Sequence, residues 1–125
     1  MSWSATSSVR ALAAVTAGYS VAITVSPRLL AAPCRLLDAR GDVPPSVAAL
    51  TRSIGVRDAV LALALAFARD GRDMTTLSAA RVVADGADAV WFSRVVPPGQ
   101  RRKIVGAAAG WATLELAAAL AARRA

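Results

Sequence analysis

The sequence predicts an all-α fold, an antiparallel bundle of four transmembrane helices with a short interfacial helix between the first two. Three observations support this prediction. The 125 residues are 56% hydrophobic but only 5% aromatic, which suits helices that pack in lipid through small side chains. Apolar segments long enough to cross a bilayer cover residues 9–26, 46–68, 74–93 and 104–122. No strand-like alternation is present. A single membrane-embedded domain is expected, and a soluble alanine-rich bundle is the alternative.

The first span, residues 9–26, has a charge at its entrance, so it could also be a signal peptide. The three apolar segments that follow favour a membrane helix instead. A ridge of small residues along the span predicts close contact with another helix. A row of hydroxyls is expected to bond carbonyls of its own helix. The ridge consists of Ala14, Gly18 and Ala22, and the row of Thr16, Ser20 and Thr24.

The connection after the first span predicts a short helix over residues 28–39, lying in the membrane interface. Its apolar side chains would share one face, and Gly41 and the Pro44-Pro45 pair would end it. That face consists of Leu29, Leu30, Pro33, Leu36 and Leu37.

The second and third spans are joined by a polar turn over residues 69–73. Gly71 is expected just past the end of the second helix, and Asp73 is expected to cap the third. The fourth span carries Gly106-xxx-Gly110, a close-packing motif that suits either a homo-oligomer or packing within one chain.

The chain has 15 Lys and Arg residues and a net charge of +7, and the basic residues expected to be exposed lie at the ends of the segments. Arg123 and Arg124, for example, close the chain at the predicted membrane surface. This placement favours anionic lipid headgroups over nucleic acid as the partner, because no basic stripe or base-stacking motif is present. The expected location is the cell membrane, with several crossings. The distribution of Lys and Arg favours both termini outside.

The predicted spans contain charged side chains, each of which costs about 2.5–3.5 kcal/mol near the middle of a bilayer. Such residues need partners of opposite charge, so we expect one buried ionic cluster. Its members would be Arg52, Arg57 and Asp58 from the second span, Arg81, Asp85 and Asp88 from the third, and Glu115 from the fourth.

Depth along antiparallel helices predicts which of these residues meet. Gly55, between the charges of the second span, would let another helix approach closely. Asp85 has no arginine of its own except Arg81, one turn earlier. The predicted pairs are Arg52–Asp88, Asp58–Arg81 and Arg57–Glu115.

Three arginines face four carboxyls in this count, so one acid is in excess. We expect Asp85 to be partly protonated and to act as a proton carrier, with Asp88 as the second candidate. The first functional hypothesis is therefore a small integral membrane protein with a small-ligand, ion or proton site. The alternative is a membrane-embedded acid–base enzyme, an isomerase, cyclase or epoxide-opening enzyme, using Asp85 and Asp88 on a lipophilic substrate. A third interpretation is that the ion pairs only fix helix register.

The chain has no histidine, which excludes His-based catalysis and argues against a zinc or haem site. Its single cysteine, Cys34, excludes an intrachain disulfide. No metal and no cofactor are therefore expected. The expected partners are the lipid bilayer and a small lipophilic ligand.

The sequence Arg52-xx-Gly55-x-Arg57-Asp58 is followed by an apolar run, a polar turn and an aspartate about thirty residues on. This arrangement resembles the small four-helix integral membrane proteins of bacteria and fungi that are catalogued only as a domain of unknown function. The resemblance covers about residues 46–92, and either Asp85 or Asp88 matches the later aspartate. It implies a membrane-embedded helical fold and brings no known activity.

Overall fold

The structure is a computed structural model that describes residues 4–69 and 71–122. Within these residues it has five helices and no strand, which confirms the all-α prediction. Arg123, Arg124 and Asp70 of the predicted turn lie outside the described residues. The helices are α1 (Ala5–Val25), α2 (Arg28–Ala31), α3 (Pro45–Ala66), α4 (Arg72–Val95) and α5 (Pro98–Ala122).

Two of the helices, α1 over Thr6–Val25 and α5 over its whole length, are long and apolar enough to cross a membrane. Helices α3 and α4 are equally long, but every stretch of membrane-crossing length within them contains at least three charged residues. Length and composition therefore support two of the four predicted spans.

The four long helices pack in a ring in which α1 contacts α3, α3 contacts α4, α4 contacts α5, and α5 contacts α1. Neighbouring helices run antiparallel. Val9 near the start of α1 packs with Leu65 near the end of α3, whereas Thr24 near the end of α1 lies against Gly55. The short α2 lies against α1 and α3.

The helix predicted over residues 28–39 is wrong in its extent, since α2 is a single turn. Pro33 has no N–H to continue the helical bonding, and Arg35 adopts a left-handed conformation with φ 54°. The chain then turns around Asp38, whose Oδ1 accepts the backbone N–H groups of Arg40 and Asp42. The segment from α2 to α3 is therefore a single helical turn followed by a tight polar turn, instead of a long amphipathic helix.

The caps predicted between α3 and α4 are also wrong. Helix α3 ends at Ala66 with Phe67 as its cap, and Gly71 directly precedes α4 with φ 91° and ψ −127°. Only glycine adopts this conformation readily. Asp73 lies inside the first turn of α4, where its carboxylate still suits the positive end of the helix dipole. Helix α5 likewise begins before the predicted span, at Pro98, because proline is well tolerated in a first helical turn.

The predicted small-residue ridge on α1 does not mediate packing in the described part of the chain. Ala14 is exposed, and a Cβ added at Gly18 would meet no atom within 4 Å. A Cβ added at Gly106 or Gly110 would also meet no atom within 4 Å. The Gly106-xxx-Gly110 motif therefore does not pack against another described helix. Gly55 does behave as predicted, because a Cβ there would meet the Ser20 carbonyl oxygen of α1 at 2.7 Å.

Many large apolar side chains lie on the outside of the helices, while the interior combines a small apolar core around Val9, Leu65 and Met74 with small and polar residues. The side chains buried most completely are modest in size, with Ile23 and Val96 the largest. Examples of the exposed side chains are Val15, Val21, Leu50, Val60, Leu63, Phe67, Val83, Val90, Trp91 and Leu114. The buried polar and charged residues are Thr16, Ser20, Thr51, Asp58, Ser78, Arg81, Asp85 and Glu115.

Candidate functional site

The site is organised by one face of α4. Ser78, Arg81, Asp85 and Asp88 follow one another at spacings of three and four residues, which places them on a single stripe of the helix. The first three are buried and Asp88 is partly exposed. The stripe extends about 15 Å along the axis, at 1.5 Å per residue.

Arg81 lies at the centre of the site, with only 5% of its side chain exposed. Its guanidinium contacts three carboxylates from three helices. Nη1 lies 3.3 Å from Oδ1 of Asp58, Nη2 lies 3.1 Å from Oδ1 of Asp85, and Nε lies 3.4 Å from Oε1 of Glu115. Arg81 therefore ties α3, α4 and α5 together.

Arg57 forms the second centre, at the seam between α3 and α4. It binds Asp88 through two nitrogens, with Nη2 at 2.6 Å from Oδ2 and Nη1 at 3.3 Å from Oδ1. Its Nε also donates to Oδ1 of Asp58 at 2.8 Å, so Asp58 links the two arginines. Arg57 is less enclosed than Arg81, because 40% of its side chain is exposed.

The structure brings six of the seven predicted residues together and leaves out Arg52. That residue is exposed, and its Nε donates to the Thr24 carbonyl oxygen of α1 at 3.3 Å. We use the name ionic cluster for the remaining set, which consists of Arg57, Asp58, Arg81, Asp85, Asp88 and Glu115.

Of the predicted pairs, Asp58–Arg81 is confirmed, whereas Arg52–Asp88 and Arg57–Glu115 are wrong. Matching depth was not sufficient, because pairing also requires that two helices be neighbours. Helix α5 contacts α4 and α1, so Glu115 meets Arg81 instead of Arg57 on α3.

Helix α1 contributes to the site in a way that the sequence interpretation missed. Thr16 donates from Oγ1 to Oε1 of Glu115 at 3.4 Å, and Trp111 donates from Nε1 to the same oxygen at 2.9 Å. The expectation that hydroxyls of α1 bond their own helix holds for Thr24, which donates to the Ser20 carbonyl oxygen. Thr16 differs because it is buried opposite a carboxylate.

We expect Trp111→Phe to lower the free energy of unfolding by about 1–2 kcal/mol, because it leaves Oε1 of buried Glu115 without its shortest hydrogen bond. Thermal unfolding in detergent measures the change. Trp91→Phe is the matched control, since Trp91 is 63% exposed and should change stability by less than about 0.5 kcal/mol. Equal effects of the two substitutions would contradict a specific role for the indole N–H.

The ionic cluster has more acid than base. Two arginines, Arg57 and Arg81, face the four carboxyls of the remaining members. The excess is two carboxyls, one more than predicted, because Arg52 lies elsewhere. A buried site with two surplus negative charges requires protons or a further cation for neutrality.

Oxygens of Asp58, Asp85 and Asp88 lie within 4.8 Å of one another, a spacing that could hold a metal ion. The arginines already serve these oxygens, however. Arg57 contacts Asp58 and Asp88, and Arg81 contacts Asp58 and Asp85. The arrangement therefore favours guanidinium groups over a metal as the counter-ions of this acidic group.

Several polar atoms around Arg81 have no hydrogen-bond partner within the described residues. A cavity of about 10 Å³ lies beside Ser78, Arg81 and Glu115. It has room for about one water molecule and is far smaller than the roughly 300 Å³ of a small-molecule site. The atoms without a hydrogen bond are Ser78 Oγ, Asp85 Oδ2, Glu115 Oε2, and Nε and Nη1 of Arg81, which contact carboxylates only as ion pairs at 3.4 and 3.3 Å.

No protein-family model, curated protein or solved structure matches this chain. The resemblance to the four-helix membrane family therefore stays a prediction.

Proposed function

We propose that the protein is a multi-pass membrane protein in which all four long helices cross the bilayer and the ionic cluster binds and releases a proton. The observation that supports this most is the inverted distribution of polarity. A soluble protein of this size avoids a continuous apolar surface around a charged interior. Here Phe67 is 83% exposed and Val83 is 71% exposed, whereas Arg81 is 4% exposed.

Three charges of α3 and α4, Asp58, Arg81 and Asp85, are compatible with a bilayer because they are buried between the helices and paired. On α4, Arg81 and Asp85 are buried, while Val83, Val90 and Trp91 are exposed. Ionisable residues inside membranes characteristically face the interior and pair with one another. The low hydropathy of α4 then reflects its inner face, and the outer face remains apolar.

The surplus of acid favours a proton as the ligand. Asp85 and Glu115 share the guanidinium of Arg81, and each retains one buried oxygen without a partner. A proton on either carboxyl would supply a donor there and remove one unbalanced charge. A lipophilic substrate or ligand at the carboxyls is less favoured. The cavity beside Arg81 and Glu115 has room for about one water molecule, and a larger cavity of about 280 Å³ that Ser78 also lines borders none of the carboxyls.

We expect the protein to sediment with membranes and to stay there after extraction with alkaline carbonate. The physical reason is that the apolar outer surface of its helices requires lipid or detergent. Recovery as a monodisperse species without detergent would contradict the membrane assignment.

We expect Asp85→Asn to remove about one titratable proton per chain from the detergent-solubilised protein, since the amide cannot ionise. Potentiometric titration and the infrared band of a protonated carboxyl measure this loss. Asp42→Asn is the control: it also removes one carboxyl, but an exposed one in the connection before α3, so it should leave the infrared band of the buried protonated carboxyl in place. If the Asp85→Asn and Glu115→Gln variants both fold and bind and release protons like the unmodified protein, the cluster is structural and the proton function is wrong.

A further inference from the structure

A second, larger cavity lies at the end of the protein where α1 begins and α5 ends. Its volume is about 280 Å³, enough for several water molecules. It lies between these helix ends and the start of α4, and we call it the vestibule. Its lining includes Thr6, Gly71, Thr75, Ser78 and Ala122.

Ser78 joins the vestibule to the ionic cluster. It lines both the vestibule and the small cavity beside Arg81 and Glu115. Its residue is only 5% exposed, and its hydroxyl has no hydrogen-bond partner within the described residues. Ordered water usually satisfies buried hydroxyls of this kind. Along α4, Thr75, Ser78 and Arg81 follow at spacings of three, so polar groups continue from the vestibule into the cluster.

The opposite end of the protein is closed by packing. Four residues there are at most 1% exposed, and none of them is charged. They come from the end of α1, from α2 and the turn after it, and from the residue after α4. They are Ile23, Ala31, Cys34 and Val96.

We propose that the vestibule is a water-filled entrance that connects the buried part of the ionic cluster, Arg81, Asp85 and Glu115, to one side of the membrane only, the side on which α1 begins and α5 ends. This inference rests on the proposed proton function. Hydrated protons enter through the vestibule, pass the Ser78 hydroxyl and reach Glu115 and Asp85. The packed end around α2 separates these two carboxyls from the other side, whereas the more exposed pair of Arg57 and Asp88 lies at the seam between α3 and α4.

Cysteine labelling in liposomes tests this entrance. The probe is a small, positively charged, membrane-impermeant methanethiosulfonate, applied to Ser78→Cys and to Ser20→Cys. Both positions are buried serines, but Ser20 lines neither cavity. Native Cys34 gives a low background, because it is fully buried and burial raises the pKa of its thiol. We expect Ser78→Cys to react at least about tenfold faster than Ser20→Cys, because thiol modification follows access.

A C-terminal epitope tag identifies the side. Labelling of Ser78→Cys should occur only in liposomes whose tag is accessible from outside, since α5 ends beside the vestibule. Equal rates at positions 78 and 20, or labelling from the side opposite the tag, would overturn the entrance. If Ser78→Cys does not fold, Thr75→Cys takes its place, because Thr75 also lines the vestibule.

The two proposals fail in different ways. Unreactive cysteines at positions 75 and 78, together with proton binding that still requires Asp85, would refute the entrance and leave the proton function standing. Rapid, one-sided labelling with no effect of either Asp85→Asn or Glu115→Gln would refute the proton function and leave a hydrated entrance. Ser78→Leu separates the two proposals further. A leucine that fills the connection between the two cavities should slow proton uptake severalfold and leave the number of protons taken up unchanged.

Discussion

Arg81→Gln is expected to lower the free energy of unfolding by about 3–5 kcal/mol, enough to prevent recovery of a folded protein under many conditions. The substitution removes the only arginine that contacts Asp85 and Glu115 in the described part of the chain, and one of the two arginines that contact Asp58. It leaves buried carboxylates without a counter-charge, which is far more costly than the loss of one hydrogen bond. Thermal unfolding or denaturation by increasing SDS in mixed micelles measures the effect.

Arg52→Gln is the matched control for this experiment. Arg52 is an arginine in a neighbouring helix, but it is exposed and bonds only a backbone carbonyl among the contacts described. We expect its removal to change the free energy of unfolding by less than about 0.5 kcal/mol. Adding Asp85→Asn and Glu115→Gln to Arg81→Gln should restore part of the stability, because the triple variant has fewer uncompensated charges. If Arg52→Gln proves as damaging as Arg81→Gln, the cluster described here is wrongly assembled.

Gly55→Ala is expected to destabilise the protein by about 1–3 kcal/mol through overpacking between α1 and α3. The added Cβ would overlap Oγ1 of Thr24, lie 2.7 Å from the Ser20 carbonyl oxygen and lie 3.1 Å from Ile23. Because one of these neighbours is backbone, the helices themselves must separate. The same unfolding assay measures the loss, and Gly55→Leu should be more damaging still.

Gly106→Ala is the control for the helical glycine, because a Cβ there would meet nothing within 4 Å. Alanine should be neutral or stabilise the helix by up to about 1 kcal/mol, since it has the higher helix propensity. Thr24→Ala combined with Gly55→Ala should recover only part of the loss, as the Ser20 carbonyl remains in place. Complete recovery would mean that the side chain of Thr24 alone sets the distance between α1 and α3. A large loss at Gly106 would instead indicate a contact with another copy of the chain.

The two pairs of experiments address different seams of the protein. Gly55 governs how closely α1 approaches α3, whereas Arg81 joins α3, α4 and α5 by charge. Because the residues involved are largely separate, the two effects should add within about 0.5 kcal/mol.

The sequence by itself determined where the long helices form and which charged residues require partners of opposite charge. Long apolar stretches and proline-glycine connections set the four long helices to within a few residues, apart from the earlier start of α5 at Pro98. The spacing of Ser78, Arg81, Asp85 and Asp88 defined the polar face of α4, because helical periodicity is a local property. Gly55 can also be identified from the sequence, because it is a small residue between the charges of α3.

Only the tertiary structure decided which charges meet. Depth along the helix is readable from residue number, but the rotation of each helix and the identity of its neighbours depend on packing among all of them. Arg52 therefore bonds the α1 backbone, and Arg57 pairs with Asp88. Glu115 contacts Arg81 and accepts a hydrogen bond from Thr16 of α1. The excess of two carboxyls and the vestibule beside Ser78 follow from that arrangement, which no local pattern in the chain specifies.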